Sequence, residues 1–187
     1  MIALIEGEIK EVSENSVVIF ANGIGYEVFV AHPENFIPMK KYMLYIYESR
    51  KENDLSLYGF TNKSEKAIFA LIVKKVNGVG PKTAMGIFRV LTKEKLISII
   101  DSGDYKAFKP VPGIGEKTAK RIVIELGGEI KEEEKKVETE KIKLAKSALI
   151  SLGYSANDVA KVLRELGDEN SVEDIVREAI KRLSSGE

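Results

Sequence analysis

Two short phrases constrain this chain more than anything else in it: Asn77-Gly78-Val79-Gly80-Pro81-Lys82-Thr83-Ala84 and Pro112-Gly113-Ile114-Gly115-Glu116-Lys117-Thr118-Ala119. They stand 35 positions apart, measured from Gly78 to Gly113. In each, a β-branched residue separates two glycines, and Lys-Thr-Ala opens an apolar periodicity that predicts a helix. Each copy therefore predicts a tight turn feeding a helix N-terminus. Glycine admits positive φ and lets a ligand approach without a Cβ in the way. The unpaired N–H groups and the positive dipole end of the helix make such a turn an anion site. Pro81 suits the first helical position, where no N–H is missed. Lys82 and Lys117 add positive charge, and a phosphate fits there.

A nucleotide P-loop needs glycine directly before the lysine, whereas Pro81 and Glu116 precede the lysines here. A dinucleotide-binding fingerprint fails as well, because it needs a preceding strand and a third glycine at fixed spacing. One Gly-x-Gly alone is also what a tight connection between two packed helices looks like. The doublet with its shared Lys-Thr-Ala tail resembles a tandem helix-hairpin-helix module, which binds duplex DNA through the sugar-phosphate backbone without reading bases. That resemblance implies phosphate contacts at Gly78, Gly80, Gly113 and Gly115, with Lys82, Thr83, Lys117 and Thr118 opening the second helix of each hairpin. Lys120 and Arg121, one turn further on, read either as additional contacts or as a solvated helix face.

Formal net charge is zero over 187 residues, which argues against nucleic acid until the charge is divided by segment. Residues 1–62 hold 5 Lys and Arg against 9 Asp and Glu, 63–130 hold 13 against 7, and 131–187 hold 11 against 13. The balances are −4, +6 and −2, so the positive charge travels with the glycine doublet. There is no cysteine and a single histidine, His32, which removes disulfides, thiolate chemistry and any histidine-built zinc site; no cofactor or metal is expected. His32 precedes Pro33 at the predicted end of a strand and reads as a loop residue. No stretch reaches the ~20 apolar residues of a membrane span, and the first residues lack a secretion signal, so a cytoplasmic protein is expected. The share of charged residues, 31%, is a feature of thermophile proteins.

Short apolar or alternating runs at 2–9, 17–21, 26–31, 42–47 and 55–60 predict five strands, with a hairpin at Asn22-Gly23. Five strands in about 60 residues suggest a small closed barrel of the OB-fold kind, over 1–62. Tyr26, Phe29, Tyr42, Tyr45, Tyr47, Tyr58 and Phe60 read as core and interface, or as a surface that stacks single-stranded bases. The turn between the last two strands, Arg50-Lys51-Glu52-Asn53-Asp54, reads as an ordinary β-turn or as carboxylates set to repel phosphates. From Asn62, whose spacing to Glu65 resembles a capping box, the period becomes helical. A first helix leads into the first glycine turn, and helices follow at about 81–91, 93–101, 104–109 and 116–126, giving an all-α domain over 63–130. Residues 131–141 are almost entirely Lys and Glu and predict a flexible or partly helical linker. Three short helices at 142–152, 156–166 and 171–183 make a C-terminal domain over 142–187, where Leu149, Leu152, Tyr154 and Ile180 are candidates for partner contact or for core.

Barrel, tandem hairpins, charged linker and three-helix tail, in that order, resemble the RuvA family over the whole chain. The resemblance is carried by Ile24-Gly25-Tyr26-Glu27-Val28, Leu57-Tyr58-Gly59-Phe60, Asn77 to Lys82, Pro112 to Ala119, and Ala148 to Tyr154. It implies a multidomain protein of β then α class with a UBA-like C-terminal domain. It implies a homotetramer, singly or as a face-to-face pair, that holds a four-way DNA junction flat and open during recombination and repair. The RuvB ATPase motor is the implied partner of the third domain, and the junction resolvase a further one. The family's acidic pin falls on Glu52 and Asn53; the second is not an acid here, and Asp54 stands next to it. The family's motor contacts fall on Leu149, Leu152, Tyr154 and Ile180. Two other readings stay open. Helix-hairpin-helix units also occur in glycosylases and nucleases, although no carboxylate cluster accompanies either turn here. A generic duplex-binding scaffold with an interaction tail fits the same doublet.

Overall fold

The computed structural model describes residues 1–51, 54–166 and 171–185, with the backbone alone described at 51, 131–139, 164–166 and 185. It divides into two units, Met1–Glu133 and Glu134–Glu187.

The first unit opens with five strands, β1 (Leu4–Val12), β2 (Ser16–Ala21), β3 (Ile24–Phe29), β4 (Lys41–Lys51) and β5 (Asp54–Phe60). They close into a barrel in the order β1-β2-β3-β5-β4. All pairings are antiparallel except β3 with β5. Alternation sets the inside: Ile5, Ile9, Val17, Ile19, Val28, Leu44 and Ile46 are buried together. Asn22 and Gly23 both take positive φ, 50° and 85°, as the two-residue hairpin between β2 and β3 requires. The barrel's aromatics are divided between two jobs. Phe36 and Tyr42 pack against each other at a tilt beside the barrel interior, with ring centroids 4.9 Å apart. Tyr47, Tyr58 and Phe60 turn instead towards the helices and surround Phe69, with ring centroids 5.1, 5.5 and 4.9 Å away. These rings are an interface between barrel and helices, not a platform for bases.

The helical part of this unit comprises α1 (Lys63–Lys75), α2 (Pro81–Val90), α3 (Lys93–Ser102) and α4 (Glu116–Leu126), around a core that includes Ile68, Ile72, Ile87, Leu96, Phe108 and Ile122. Asn62 caps α1 by accepting from the Ser64 N–H at 2.8 Å. The capping box with Glu65 is half formed, since Glu65 lines a cleft with His32 and Lys93 and burial raises its carboxyl above the usual range. Thr92 caps α3, and Gly103 ends it in the left-handed region. Where the sequence predicts a helix at 104–109, the chain makes only a 3₁₀ turn over Tyr105–Phe108, confined between Gly103 and Pro110.

A 23-residue helix, α5 (Glu129–Ser151), runs through the stretch that sequence assigns to a linker. Its Lys and Glu residues are strong helix formers, and that propensity decides the backbone where no apolar face does. The second unit packs the end of α5 with α6 (Ala156–Leu166) and α7 (Val172–Ser185) around Ala145, Leu149, Val159, Leu163, Ile175 and Ala179. Ser171 caps α7, accepting from the Asp174 N–H at 3.1 Å and donating to its carboxylate at 2.7 Å. No helix among the described residues is long and apolar enough to cross a membrane.

Candidate nucleic-acid interface

The two glycine turns share one hydrogen-bond skeleton. In the first, the Val79 N–H donates to Val76 O at 3.1 Å and the Ala84 N–H to Gly80 O at 2.9 Å. In the second, the Ile114 N–H donates to Val111 O at 3.3 Å and the Ala119 N–H to Gly115 O at 2.9 Å. The residue between each glycine pair, Val79 or Ile114, is buried in the helical core and anchors its turn. That leaves the glycines outside.

Within each pair the glycines are required for different reasons. Gly78 and Gly113 take φ of 88° and 80°, a region that side chains disfavour. Gly80 and Gly115 are the N-caps of α2 and α4 with ordinary extended φ of −85° and −83°. A Cβ at either would meet no atom within 4 Å. Glycine is a favoured N-cap, but neither φ nor protein packing excludes a side chain there, so the space in front of both N-caps is open. The first-turn N–H groups of α2 and α4, which lack intrahelical acceptors, border that space.

The turns also lie side by side and brace one another through equivalent positions. Arg121, on α4, donates from Nη1 to Asn77 O at 2.7 Å. Its counterpart 35 positions earlier, Gly86 on α2, faces Pro112 O, which would lie 4.0 Å from a Cβ there. Asn77 and Pro112 are themselves counterparts, so the module carries an approximate internal twofold. Thr83 Cγ2 would stand 3.9 Å from a Cβ on Gly113, which brings the opening of α2 against the second turn.

The candidate basic residues then separate by their partners. Lys82 and Lys117 are exposed and make no ion pair among the described residues. Thr83 and Thr118 are half-buried at the starts of their helices. Arg121 is committed to Asn77 O and approaches Glu125 at 3.7 Å. Lys120 is engaged too, with Nζ 2.6 Å from Glu116 Oε1 and 4.7 Å from the Tyr105 ring centroid. The hydrogen bond from Lys120, and then its charge, hold the Glu116 carboxyl below the usual range, and the same contact raises the Lys120 ammonium. The second turn thus has a carboxylate at its mouth where the first has Pro81. Lys106 and Lys109, which the sequence reading did not single out, line an open cleft with Tyr105, Ile114 and Gly115. Their only sequence signal is the positive balance of 63–130.

Of the acidic turn, Glu52 and Asn53 lie outside the described residues, and Asp54 pairs with Lys51 at the outer end of the β4–β5 ladder. In the second unit, Leu149 is fully buried and belongs to the core, while Leu152 is 62% exposed. Tyr154 and Ile180 are half-buried against that core.

Family models match three segments of the chain: the RuvA N-terminal domain over residues 1–59, the SAM-like helix-hairpin-helix tandem over 70–127, and the RuvA C-terminal domain over 145–184. The Holliday junction branch migration complex subunit RuvA of Nautilia profundicola is 38% identical over 186 residues, 98% of each chain. The subunit of the same name from Caldanaerobacter subterraneus subsp. tengcongensis is 36% identical over 192 residues, 98% of this chain and 100% of that one. That of Lachnospira eligens is 34% identical over 205 residues, 98% and 99% respectively.

Proposed function

The chain belongs to the RuvA family, and from that membership together with the paired turns we propose that it binds four-way Holliday junctions and recruits the RuvB motor for branch migration. Binding runs through the phosphate backbone and is independent of sequence. The observation that carries this reading is the pair of N-cap glycines, Gly80 and Gly115, which open onto unfilled space beside free helix N-termini. Gly78, Gly113, Lys82, Thr83, Lys117 and Thr118 complete the two phosphate sites, and Arg121 holds them in register.

The protein works as a homotetramer in the cytoplasm, also as a face-to-face pair of tetramers, and catalyses nothing itself. Four subunits repeat the two turns around a square, so that geometry and avidity select four arms over one. Glu52, Asn53 and Asp54 form the pin at the crossover. Each separated base-pair step costs about 1–2 kcal/mol of stacking, which the surrounding phosphate contacts offset. In the C-terminal unit Leu152 meets the motor, Tyr154 and Ile180 flank it, and Leu149 supports them from the core. The junction resolvase is a further partner of the assembled complex.

The salt dependence of junction affinity tests the backbone reading. With eight turns each neutralising about one phosphate, the slope of log K against log salt is about −7, and affinity falls by about 10³–10⁵ between 50 and 200 mM. A slope shallower than about −2 would refute phosphate-backbone binding.

A further inference from the structure

We infer that Arg89 is a positioning residue for junction recognition: it clamps the end of α2 to two barrel loops and so sets the angle at which the first phosphate-binding turn is presented. The inference rests on the junction-binding reading for its purpose, though the clamp itself is a property of the DNA-free protein.

Helix α2 carries the first turn at its N-terminus and Arg89 in its last turn. The Arg89 guanidinium spreads over three acceptors of the barrel. Nε donates to Ala31 O at 3.1 Å, Nη1 to Asn15 Oδ1 at 2.5 Å and Nη2 to Glu14 O at 3.4 Å. Glu14 and Asn15 lie in the β1–β2 loop and Ala31 in the β3–β4 loop. The Val30 N–H donates to Asn15 O at 3.2 Å and joins these loops into one platform. The neighbouring residue completes the attachment: His32 Nε2 lies 3.1 Å from Phe88 O, a last-turn carbonyl with no intrahelical donor, and His32 Nδ1 lies 2.9 Å from Glu34 Oε1. These three hydrogen-bond acceptors are neutral, and the Arg89 charge also bears on the nearby Glu34 carboxylate. A planar fork of this kind fixes direction, and a cation at a helix C-terminus is also favoured by the dipole.

Phe69 of α1 and Phe88 of α2 sit in the aromatic cluster with Phe60, at 4.9 and 5.8 Å between centroids, and with buried Ala84, Met85 and Ile87 they dock α2 on the core. The guanidinium fork adds a directional tie to the barrel at the end of the helix. A ten-residue helix is a lever of about 15 Å. A tilt of about 10° at its clamped end moves the turn by about 2.5 Å, most of a hydrogen-bond length. A single duplex follows a displaced turn at little cost. A junction held by several subunits follows less easily, because its arms are joined at one crossover and all the turns must be engaged at once.

The test uses the full-length chain, a four-arm junction and a linear duplex of equal length at one salt concentration. Arg89→Ala is expected to weaken junction binding by about tenfold or more while duplex binding changes by less than about twofold, with mass unchanged. Arg89→Lys recovers part of the loss, and Asn15→Ala shows a smaller loss of the same kind. An unchanged junction-to-duplex ratio in Arg89→Ala overturns the inference, and so does an equal loss on both substrates, which would make Arg89 a DNA contact. If Arg89→Ala fails to fold, the ratio in Asn15→Ala decides in the same way. A DNA-free readout separates the clamp from the junction reading. The chain has no cysteine, so spin labels at Glu11→Cys and Asn77→Cys, diluted into unlabelled chains, report the distance from barrel to turn. Arg89→Ala should broaden that distance distribution, and an unchanged width sinks the clamp whatever the DNA result. A wild-type protein with no junction preference but a distribution that broadens in Arg89→Ala would count against the junction reading alone.

Discussion

Replacing Gly80 and Gly115 together by valine is expected to weaken junction binding by at least about a hundredfold while the protein keeps its fold and oligomeric mass. The expectation follows from what each glycine does. At Gly78 and Gly113 the positive φ would strain any side chain by about 1–2 kcal/mol, so their replacement mixes folding with binding. Gly80 and Gly115 have ordinary φ, and an added Cβ meets nothing of the protein. Valine is a poorer N-cap than glycine, which costs on the order of 1 kcal/mol per helix and lowers Tm by several degrees at most. The branched methyls would occupy the space in front of the first-turn N–H groups, where the proposed phosphate would bind. Since the loss repeats in every subunit, the effect multiplies. Binding that survives in a folded double variant would remove both turns from the interface.

Ending the chain after Glu133 is expected to leave junction affinity within about twofold and to abolish stimulation of the motor, which falls to its level without this protein. The cut follows the boundary between the two units. It keeps Ile130, which is buried in the first unit's core, and Glu129, whose carboxylate lies 3.1 Å from Lys75 Nζ. The segment with the positive balance, 63–130, stays whole, and with it the proposed phosphate-binding surface. Everything proposed to meet the motor departs, including exposed Leu152. A large loss of junction affinity on truncation would assign DNA contacts to the C-terminal unit.

The sequence made some of this legible because the deciding physics is local. Alternating β-branched residues and Asn22-Gly23 are enough to specify a barrel strand pattern, and Gly-Val-Gly-Pro-Lys-Thr-Ala is enough to specify a turn and helix start. Features decided by residues far apart in the chain were not legible. That Tyr47, Tyr58 and Phe60 face α1 rather than solvent depends on where Phe69 docks. The bond from Arg121 Nη1 to Asn77 O, across 44 positions and 2.7 Å, is likewise set by the fold and not by the local sequence. Lys120 and Glu116 were one turn apart in plain view, yet only the Tyr105 ring beneath the lysine shows how firmly that charge is engaged. Leu149 and Leu152 stand three positions apart on one apolar helix end, and only packing against α6 and α7 separates core from surface. The Lys- and Glu-rich stretch from 131 lacked an apolar face, and helix propensity alone gave it a helical backbone.

The central claim is that the chain recognises a four-way junction by its geometry rather than DNA by its charge. The most direct measurement is competition between a four-way junction and linear duplex of the same length at moderate salt, with the mass of the bound species determined in the same buffer. A tetramer or octamer that prefers the junction by about a hundredfold or more is the predicted result. Equal affinity for both, bound as a monomer, would contradict it and leave a general duplex-binding module.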